Sequence, residues 1–506
     1  MTGVRGSAAI GAGLAQARQA RPIREGERIH VVGAAGAGAS AAALLAHHCG
    51  AAVSGCDPGG PSPYTPPLES AGIHLDWRHD PSHVAGPALP DRLAVTKALT
   101  AVDPDNPELA AARAASVPVE PWQQVIADSA VGRTLVGVAG THGKSTTSGW
   151  LVHVLAEAGL DPCAFVGALL PGSLTGDLPS TARWGRGQPF VVEADEYAGN
   201  FDPYRPDLAV LTSAEWDHPD VFADRAAVVA SFAAWLERAG GAVGRPVLVA
   251  NLGDPGVAEV VDRLRGWTGE VLGTRLTAGA PGPKRPGGWL VGTIQEADSA
   301  GTSLRLEGSA LPAPLTARLR LAGRHNAANA LGVAGAALVL GVTPDAVGAA
   351  LGSFAGVGRR LERKGEGRGV VVYDDYAHHP TAIRETLAAL RQREPGRRTW
   401  AVYEPLTYHR TAAMLGEFAQ VLATADAVAI AEIWASRDPD HSVTSAEALA
   451  EAVARARPGI VAAAPGSVEE TAAWLAGQVR PGDAVLVMGG GKSYRIAELL
   501  LEALGG

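Results

Sequence analysis

Short apolar runs recur along the chain, and each ends in glycines, acids or histidines before a longer stretch with helical spacing. The clearest run, 134–139, precedes a glycine-rich segment and an amphipathic stretch over 146–158, which predicts a buried strand, a tight loop and a helix. Because strands that alternate with helices typically pair in parallel, the pattern predicts an α/β protein. Similar patterns predict strands at 29–32, 52–57, 190–192, 208–213, 370–373, 399–404, 427–430, 459–463 and 484–488, and helices at 225–236 and 381–391.

The segment 267–319 loses this alternation. It contains glycine and proline clusters around 280–288 and alternating stretches such as 303–306. This composition predicts short strands and turns.

The loop after the run 134–139 carries the strongest chemical signal. It reads Gly140-Thr141-His142-Gly143-Lys144-Ser145-Thr146. Glycines let successive backbone N–H groups point at an anion, and the start of a helix adds partial positive charge. Lys144 supplies a full positive charge, and Ser145 or Thr146 supplies a hydroxyl for Mg²⁺. The loop therefore predicts ATP binding.

Carboxylates follow two other predicted strands. Glu193, Asp195 and Glu196 end the run at 190–192, where a parallel strand delivers acids to a crevice suited to Mg²⁺ beside phosphates. His218 lies among acids after the run 208–213. It is either a further metal ligand or part of a capped loop before the helix at 225–236.

A second glycine-rich turn follows the first predicted strand. It contains Gly36, Gly38 and Ser40, and Asp57 ends the next strand at a position that often contacts ribose or base. Such a turn either cradles a phosphate or only allows tight packing of a helix on a strand.

Two pairs of polar residues and a third glycine-rich turn also have both a functional and a structural interpretation. Asn326 and Asn329 share one helical face that can read an adenine edge, although asparagine is also an ordinary N-cap. Arg359 and Arg360 can reach a phosphate or carboxylate. The turn 489–493 is either an anion-binding nest or a tight end to the sheet.

The composition of the chain limits the kinds of molecule that it is expected to bind. The 506 residues suffice for about three domains, and a net charge of −9 without basic blocks argues against nucleic acid. The sequence contains no run of about 18 apolar residues without a charge, so no membrane-spanning helix is expected. Residues 1–27 carry arginines and small residues without the apolar core of a signal peptide, which predicts a flexible extension.

Three cysteines without metal-ligand spacing predict free, buried thiols and a reducing cytoplasm. His79 and His83 could be taken for metal ligands, but no cysteine or carboxylate completes a recognisable site in the sequence. Surface or capping roles are therefore predicted for these histidines.

Five ordered motifs resemble those of the Mur ligase family, the ATP-dependent amide-forming enzymes of peptidoglycan assembly. The resemblance spans the chain from about Arg28 to the C-terminus, and His142 with the motif 376–380 resembles the branch that charges UDP-N-acetylmuramate. The motifs are the loop 140–146, Glu-Ala-Asp-Glu at 193–196, Glu-Trp-Asp-His at 215–218, the segment 324–329 and the segment 374–380.

The resemblance implies three domains after the extension 1–27. These are a Rossmann-like domain for the UDP substrate (28–128), a central ATPase domain with a mostly parallel sheet (129–355) and a C-terminal Rossmann-like domain for the amine (356–506).

The resemblance also implies a role for each matching residue. Lys144 would hold the β- and γ-phosphates and Ser145 a first Mg²⁺, while Glu193 and His218 would hold a second. His325, Asn326 and Asn329 would contact adenine, and Arg359 and Asp375 would help to seat the phosphates. Arg360, His378 and Arg410 would surround the acyl and amino-acid groups, and Gly36, Gly38, Ser40 and Asp57 would contact the UDP substrate.

The implied activity joins L-alanine to UDP-N-acetylmuramate through an acyl phosphate, with ATP and Mg²⁺. Where L-alanine-adding relatives usually show two arginines, the segment 404–411 has Thr407 and Arg410. Tyr197 and the segments 350–354 and 373–375 resemble the murein-peptide recycling ligase instead. The alternatives are therefore that recycling ligase, a divergent amino-acid ligase of a specialised pathway, or a nucleotide-binding scaffold. The oligomeric state stays open.

Overall fold

The strands form three sheets along the chain, of five, ten and six strands, in a computed structural model that describes residues 10–85, 89–176, 178–240, 245–276, 287–435, 438 and 440–506. Helices connect most of the strands, which confirms the predicted α/β class with three domains. The boundaries at 28, 129 and 356 stay predictions.

The first sheet is parallel throughout and has the strand order β3-β2-β1-β4-β5. This order is that of a Rossmann-like half sheet, whose carboxyl edge receives ligands. Its strands are β1 (Arg28–Val32), β2 (Ala52–Cys56), β3 (His74–Asp76), β4 (Arg92–Val95) and β5 (Val119–Pro121), and its helices are α1 (Ala37–His48), α2 (Pro66–Ser70), α3 (Lys97–Val102), α4 (Pro107–Ala114) and α5 (Trp122–Ser129), with a 3-10 helix at Pro81–Val84.

The central sheet has the order β15-β14-β13-β12-β11-β10-β6-β9-β7-β8, parallel in the middle and antiparallel at both edges. Its strands are β6 (Thr134–Ala139), β7 (Cys163–Leu170), β8 (Ser180–Arg183), β9 (Pro189–Ala194), β10 (Leu208–Leu211), β11 (Val247–Asn251), β12 (Glu270–Leu276), β13 (Trp289–Asp298), β14 (Gly301–Gly308) and β15 (Leu315–Leu319). Its helices are α6 (Lys144–Glu157), α7 (Gly172–Thr175), α8 (Arg225–Leu236), α9 (Pro255–Arg263), α10 (Arg324–Val339) and α11 (Pro344–Ser353), with a 3-10 helix at Tyr197–Gly199.

The third sheet has the order β16-β17-β21-β18-β19-β20, with only the β16–β17 pair antiparallel among the described strands. Its strands are β16 (Glu362–Gly367), β17 (Val370–Asp375), β18 (Arg398–Glu404), β19 (Ala427–Ala431), β20 (Val461–Gly466) and β21 (Asp483–Gly489). Its helices are α12 (Pro380–Arg393), α13 (Tyr408–Ala413), α14 (Leu415–Leu422), α15 (Ala446–Ala456), α16 (Val468–Ala476) and α17 (Tyr494–Leu504).

Several predicted elements match the observed bounds. The strand at 134–139 and the helix at 225–236 have the predicted ends. The segment 267–319 contains β12 to β15, and β13 and β14 are longer than predicted because they form an antiparallel pair at the sheet edge. The predicted glycine and proline cluster at 280–288 lies largely outside the described residues.

The strand β6 is buried on both faces, which explains its continuous apolar run. Val136 and Val138 pack with Trp150 of α6, and Leu135 packs in the core on the opposite face with Trp235 of α8. The core that contains Leu135 and Trp235 also includes buried residues of the first domain. This packing holds the loop after β6 at a defined edge of the sheet.

A buried ionic cluster joins residues of the predicted extension to the first domain. The Arg92 side chain is 2% exposed and forms ion pairs with Glu27 (3.1 Å), Glu120 (2.9 Å) and Asp128 (2.5 Å). Arg18 adds ion pairs of 2.8 Å to Glu120 and 2.7 Å to Asp128. The sequence analysis missed these contacts because isolated arginines carry no periodic signal; residues 1–9 lie outside the described part of the chain.

Replacing Arg92 with methionine is expected to lower the free energy of unfolding by about 3–5 kcal/mol, because three buried carboxylates would lose their shared cation. Urea denaturation followed by circular dichroism measures this change. The matched control is Arg455→Met, since Arg455 is exposed on α15 and its 3.6 Å pair with Glu451 is solvated. An Arg92→Met protein as stable as the control would contradict a stabilising role for the cluster.

The free energy of unfolding is expected to depend on pH through the carboxyl group of Glu27. Burial alone raises the pKa of its carboxyl, but hydrogen bonds from Arg21 and the Arg24 backbone, together with the Arg92 charge, lower that pKa from 4.5 to about 2. A carboxyl with a lowered folded-state pKa stabilises the fold above pH 4.5 and loses this contribution as the pH falls towards 2.

Glu27→Gln is therefore expected to lower the free energy of unfolding at pH 7 by about 1.5–3 kcal/mol, the range for hydrogen bonds to a charged group. The difference from the unmodified protein should shrink as the pH falls below 4.5. Urea titrations across this pH range measure the difference, with Glu25→Gln on the exposed neighbouring position as the control. A difference that stays constant with pH would contradict the assignment.

Among the described residues, no helix is both long enough and apolar enough to cross a membrane.

Candidate active site

The loop between β6 and α6 has the backbone of an anion-binding turn. Gly140 and Gly143 have φ values of +136° and +82°, a region that favours glycine. A Cβ at Gly143 would lie 2.7 Å from Asn329 Oδ1, so the close approach of α10 also requires glycine. Helix α6 begins at Lys144, two residues before its predicted start, because the left-handed Gly143 ends the loop there.

Hydrogen bonds to the end of β10 hold this loop in place. The Thr141 N–H donates to the Ser213 carbonyl (3.1 Å), and the His142 N–H donates to Ser213 Oγ (2.8 Å). Thr212 Oγ1 donates to the His142 carbonyl. Since these partners lie at the carboxyl edge of the parallel sheet, the loop faces the crevice where ligands bind in such folds.

Lys144 lies among the carboxylates that follow β9. Its Nζ is 2.8 Å from Glu196 Oε2, 3.6 Å from Asp195 Oδ1 and 2.7 Å from the Gly140 carbonyl. Burial is the largest single effect and lowers the pKa of Lys144, but the charges of Glu196, Asp195 and Glu193 and the hydrogen bond to Glu196 together outweigh it and raise the pKa, so Lys144 is charged. Burial raises the pKa of Glu196 to about 7 despite this partner.

The predicted metal ligands lie in two neighbouring groups. Ser145 Oγ donates to Glu193 Oε1 (3.0 Å), and the Gly167 N–H donates to the other oxygen of Glu193 (2.7 Å). His218 instead lies with Asp195 and Glu196, whose ligand atoms and its own all lie within 4.8 Å of one another. The cap of α8 is Asp224, so His218 is not the cap of that helix.

Arg410 and His378, both predicted from the resemblance, lie near His218. Arg410 Nη2 is 2.7 Å from Asp217 Oδ1 and 3.0 Å from His218 Nδ1. Its Nε and Nη1 are buried and have no hydrogen-bond partner among the described residues. Burial, reinforced by Arg410, lowers the pKa of His378 well below its usual value, so this imidazole is neutral at pH 7.

A cavity of about 650 Å³ lies between the loop, α10 and the third domain. Its polar lining includes His142, Gly143, Thr146, His325, Asn326, Asn329, Arg360 and Asp375, which were all predicted as site residues. Asn326 does not cap α10, because its amide donates to the Ala322 carbonyl (2.7 Å) from within the first turn. Asn329 donates to Asn326 Oδ1 (3.3 Å).

The paired arginines point in different directions. Arg360 lines the cavity and donates to Ser145 Oγ (2.8 Å). Arg359 has φ +57° and turns into the third domain, where it pairs with Asp374 (3.0 Å) and donates to the Gly489 carbonyl (2.9 Å). A role for Arg359 in seating phosphates stays a prediction.

Glu215 and His379 are site residues that the sequence analysis missed. Glu215 Oε2 lies 3.3 Å from His142 Nε2 and accepts a hydrogen bond from Thr381 Oγ1 (2.8 Å), so it links the loop to the third domain. The His379 ring lies 4.7 Å from the His142 ring. Burial raises the pKa of Glu215, but His142 and its other partners outweigh this and lower it to about 2. The acids of the segment 215–218 were the only sequence signal for this link.

The first glycine-rich turn orders itself through Asp57, which accepts hydrogen bonds from the Ala35 N–H (3.1 Å) and the Gly59 N–H (2.9 Å). A Cβ at Gly38 would lie 2.2 Å from the Trp122 ring, so this glycine is required for packing. Ser40 Oγ lies 3.2 Å from Thr181 Oγ1 of the central domain. The turn thus has a packing role, and contact with a UDP substrate stays a prediction for Gly36, Gly38, Ser40 and Asp57.

The turn 489–493 binds a carboxylate of the protein itself, that of Glu404. The N–H groups of Lys492 and Ser493 donate to the Glu404 carboxylate at 3.2 and 2.8 Å. The turn therefore ends the last strand of the third sheet, and its N–H groups are occupied by a carboxylate of the protein.

Comparison with known proteins agrees with this arrangement. Family models match in chain order: the Mur ligase family catalytic domain at 28–134, the Mur ligase middle domain at 138–337 and the Mur ligase glutamate ligase domain at 359–491. A UDP-N-acetylmuramate–L-alanine ligase from Roseiflexus sp. (strain RS-1) is 37% identical over 94% of this chain and 98% of its own.

Two solved structures are also similar over most of their length. A UDP-N-acetylmuramate-alanine ligase from Thermotoga maritima has a TM-score of 0.75 at 25% identity and covers 94% of this chain and 98% of its own. A murein peptide ligase from Psychrobacter arcticus has a TM-score of 0.70 at 26% identity and covers 95% of this chain and 99% of its own. With its three matched domains and the near full-length similarity to the Roseiflexus enzyme, this chain belongs to the Mur ligase family.

Proposed function

We propose that this protein joins L-alanine to the carboxylate of UDP-N-acetylmuramate at the expense of ATP, in peptidoglycan precursor synthesis. The observation that carries the proposal is the continuous set of contacts from the cavity through Arg360 and Ser145 to Glu193 beside Lys144. The near full-length similarity to enzymes named for this reaction supports the choice of substrates.

The cavity and the loop fit ATP. The N–H groups at the start of α6 and the charge of Lys144 suit its phosphates, and the amides of Asn326 and Asn329 suit adenine. The donor sets around Ser145 with Glu193, and around His218 with Asp195 and Glu196, are mostly hard oxygen ligands that fit Mg²⁺. Bound Mg²⁺ would offset the negative charge of the phosphates and the substrate carboxylate.

The chemistry requires that two anions meet. The muramate carboxylate attacks the γ-phosphorus and ADP leaves, which gives an acyl phosphate. The alanine amine then attacks the acyl carbon, phosphate leaves, and the amine loses a proton as the amide forms. Arg360 and Lys144 supply the positive charge for the first step. Burial and the charge of Arg410 keep His378 neutral, so its imidazole is suited to accept a hydrogen bond from the amine in the second step.

Within the described part of the chain, Nε and Nη1 of Arg410 have no hydrogen-bond partner, which supports binding of an anionic group such as the carboxylate of the amino acid. Thr407 stands where L-alanine-adding relatives usually have another arginine, and its φ is +62°. Together with the similarity to the Psychrobacter arcticus murein peptide ligase, this substitution favours a tripeptide as the second candidate amine.

The deciding experiment measures phosphate release from ATP and Mg²⁺ with UDP-N-acetylmuramate and L-alanine, other amino acids or the murein tripeptide, with product mass to confirm the bond. Release and a mass gain with L-alanine would support the proposal. Release only with the tripeptide would favour the recycling ligase. ATP binding without turnover for every amine would overturn the proposal and favour a scaffold or another acid substrate.

The reducing cytoplasm is part of the same proposal, because nucleotide-linked precursors and ATP are available there. The free thiols of Cys49, Cys56 and Cys163 are consistent with such a compartment.

A further inference from the structure

Four potential metal ligands meet in the first domain, away from the cavity described above. His30 lies on β1, Cys56 ends β2, His83 lies in the 3-10 helix Pro81–Val84, and Glu108 lies in the first turn of α4. One ligand atom from each side chain lies within 4.8 Å of those of all the others. The Cys56 and Glu108 side chains are fully buried, and the His30 side chain is 5% exposed.

The separations fit a four-ligand site. Glu108 Oε1 lies 2.8 Å from His83 Nδ1 and 3.2 Å from Cys56 Sγ, and Glu108 Oε2 lies 3.7 Å from His30 Nε2. Tetrahedral Zn²⁺ with bonds of about 2.0–2.3 Å requires ligand atoms about 3.3–3.8 Å apart. Because one ligand atom from each of the four side chains lies within 4.8 Å of the others, side-chain shifts of about 1 Å would give these separations.

The other nitrogens of both histidines are held as metal-bound histidines require. His83 Nε2 lies 2.9 Å from Asp76 Oδ2, and His30 Nδ1 lies 2.8 Å from Ser54 Oγ. Such outer partners set the tautomer and orientation of ligating imidazoles. These contacts leave His83 Nδ1 and His30 Nε2 facing the centre of the cluster.

His30 Nε2 gives a second indication of a bound cation. This nitrogen is buried and makes no hydrogen bond to the residues that the structure describes, since the nearby Glu108 Oε2 is 3.7 Å away and beyond hydrogen-bond distance. An unsatisfied buried polar atom costs about 1–3 kcal/mol, so its position facing a thiol and a carboxylate requires an explanation. A bound cation supplies one.

We propose that His30, Cys56, His83 and Glu108 form a structural site for a thiophilic divalent cation, with Zn²⁺ as the fitting ion. On binding, the Cys56 thiol releases its proton to solvent and its sulfur bonds to the metal. Four protein ligands leave no open position, which is typical of a structural rather than a catalytic zinc site. Mg²⁺ is excluded by the thiolate and imidazole ligands.

The site would fasten β1, β2, the 3-10 helix and α4 together. Cys56 directly precedes Asp57, the residue that orders the first glycine-rich turn. Metal binding is therefore expected to stabilise the domain that carries this turn. The surface or capping role predicted for His79 and His83 is wrong, because the fold brings Cys56 and Glu108 to both histidines. Their side chains are only 14% and 10% exposed.

The test is a Co²⁺ titration of the metal-free, full-length protein. We expect a thiolate-to-cobalt charge-transfer absorption that saturates with one equivalent of Co²⁺ per chain, whatever else binds at the oxygen-rich sites, and that is displaced by Zn²⁺. Cys56→Ser should abolish this absorption, whereas Cys163→Ser should keep it, since Cys163 is equally buried but lies on β7. Circular dichroism verifies that each variant is folded.

A second variant keeps all four ligands. Asp76→Asn is expected to weaken metal affinity about 10- to 100-fold through the orientation of His83, and Zn²⁺ should raise the thermal midpoint of the unmodified protein more than that of this variant. The proposal is overturned if no thiolate absorption forms, if it persists in Cys56→Ser, or if Zn²⁺ leaves the thermal midpoint unchanged.

Discussion

Replacing Lys144 with alanine is expected to lower ATP-dependent phosphate release with the acid and amine substrates by at least about a thousandfold. The change removes the charged group at the start of α6, which the carboxylates of Glu196 and Asp195 hold in place. Losses of this size are typical when a preorganised charge that stabilises phosphoryl transfer is removed. The measurement is the rate of ADP and phosphate formation at saturating substrates.

The matched control for this variant is Lys492→Ala. Lys492 also follows a glycine turn, but that turn binds the internal Glu404 carboxylate and the lysine side chain is exposed. Its loss should leave the rate within about twofold, as for most surface substitutions. Full activity in Lys144→Ala would mean that ATP is bound elsewhere.

Replacing Arg410 with glutamine is expected to lower kcat/KM for the amine by about a hundredfold or more and to lower the free energy of unfolding by about 3–5 kcal/mol. The arginine is 3% exposed, and its loss leaves Asp217 buried without its ion pair. Its Nε and Nη1, which make no hydrogen bond to any residue that the structure describes, are the groups proposed to bind an anionic substrate. Steady-state kinetics with varied amine and urea denaturation measure the two effects separately.

The variant Arg410→Lys separates the contribution of Arg410 to substrate binding from its contribution to stability. Lysine retains the charge beside Asp217 but lacks the planar fork of donors, so stability should largely return while kcat/KM for the amine stays low. The exposed Arg495→Gln serves as the surface control, since its pair with Glu498 is solvated. Recovery of full kcat/KM in Arg410→Lys would exclude a fork-like contact with the substrate.

The glycine-rich loop 140–146 was predictable because its signals are local. A buried run, two glycines at positive φ and a lysine at the first turn of a helix follow one another within eleven residues, 134–144. Backbone geometry and hydrophobic periodicity act over such short distances. The acids after β9 were predictable for the same reason, because a parallel strand carries its C-terminal residues to the ligand-binding edge.

Neighbouring residues with the same chemistry could not be separated from the sequence. Arg359 and Arg360 are adjacent, yet the positive φ of Arg359 sends it into the third domain while Arg360 reaches Ser145. Likewise Glu193 contacts Ser145, whereas Asp195 and Glu196 group with His218. Backbone direction at single residues depends on packing that spacing does not encode.

By itself, the sequence determined the α/β class, the phosphate loop and the strand ends that carry acids, since these follow from periodicity and local backbone preference. Only the tertiary structure decided which distant groups meet. It brought Glu215 to His142 and, across two domains, to Thr381, turned Arg410 towards Asp217 and His218, and brought His83 to Cys56 and Glu108. Such contacts depend on strand order and domain packing, which sum over the whole chain and leave no mark in any short segment.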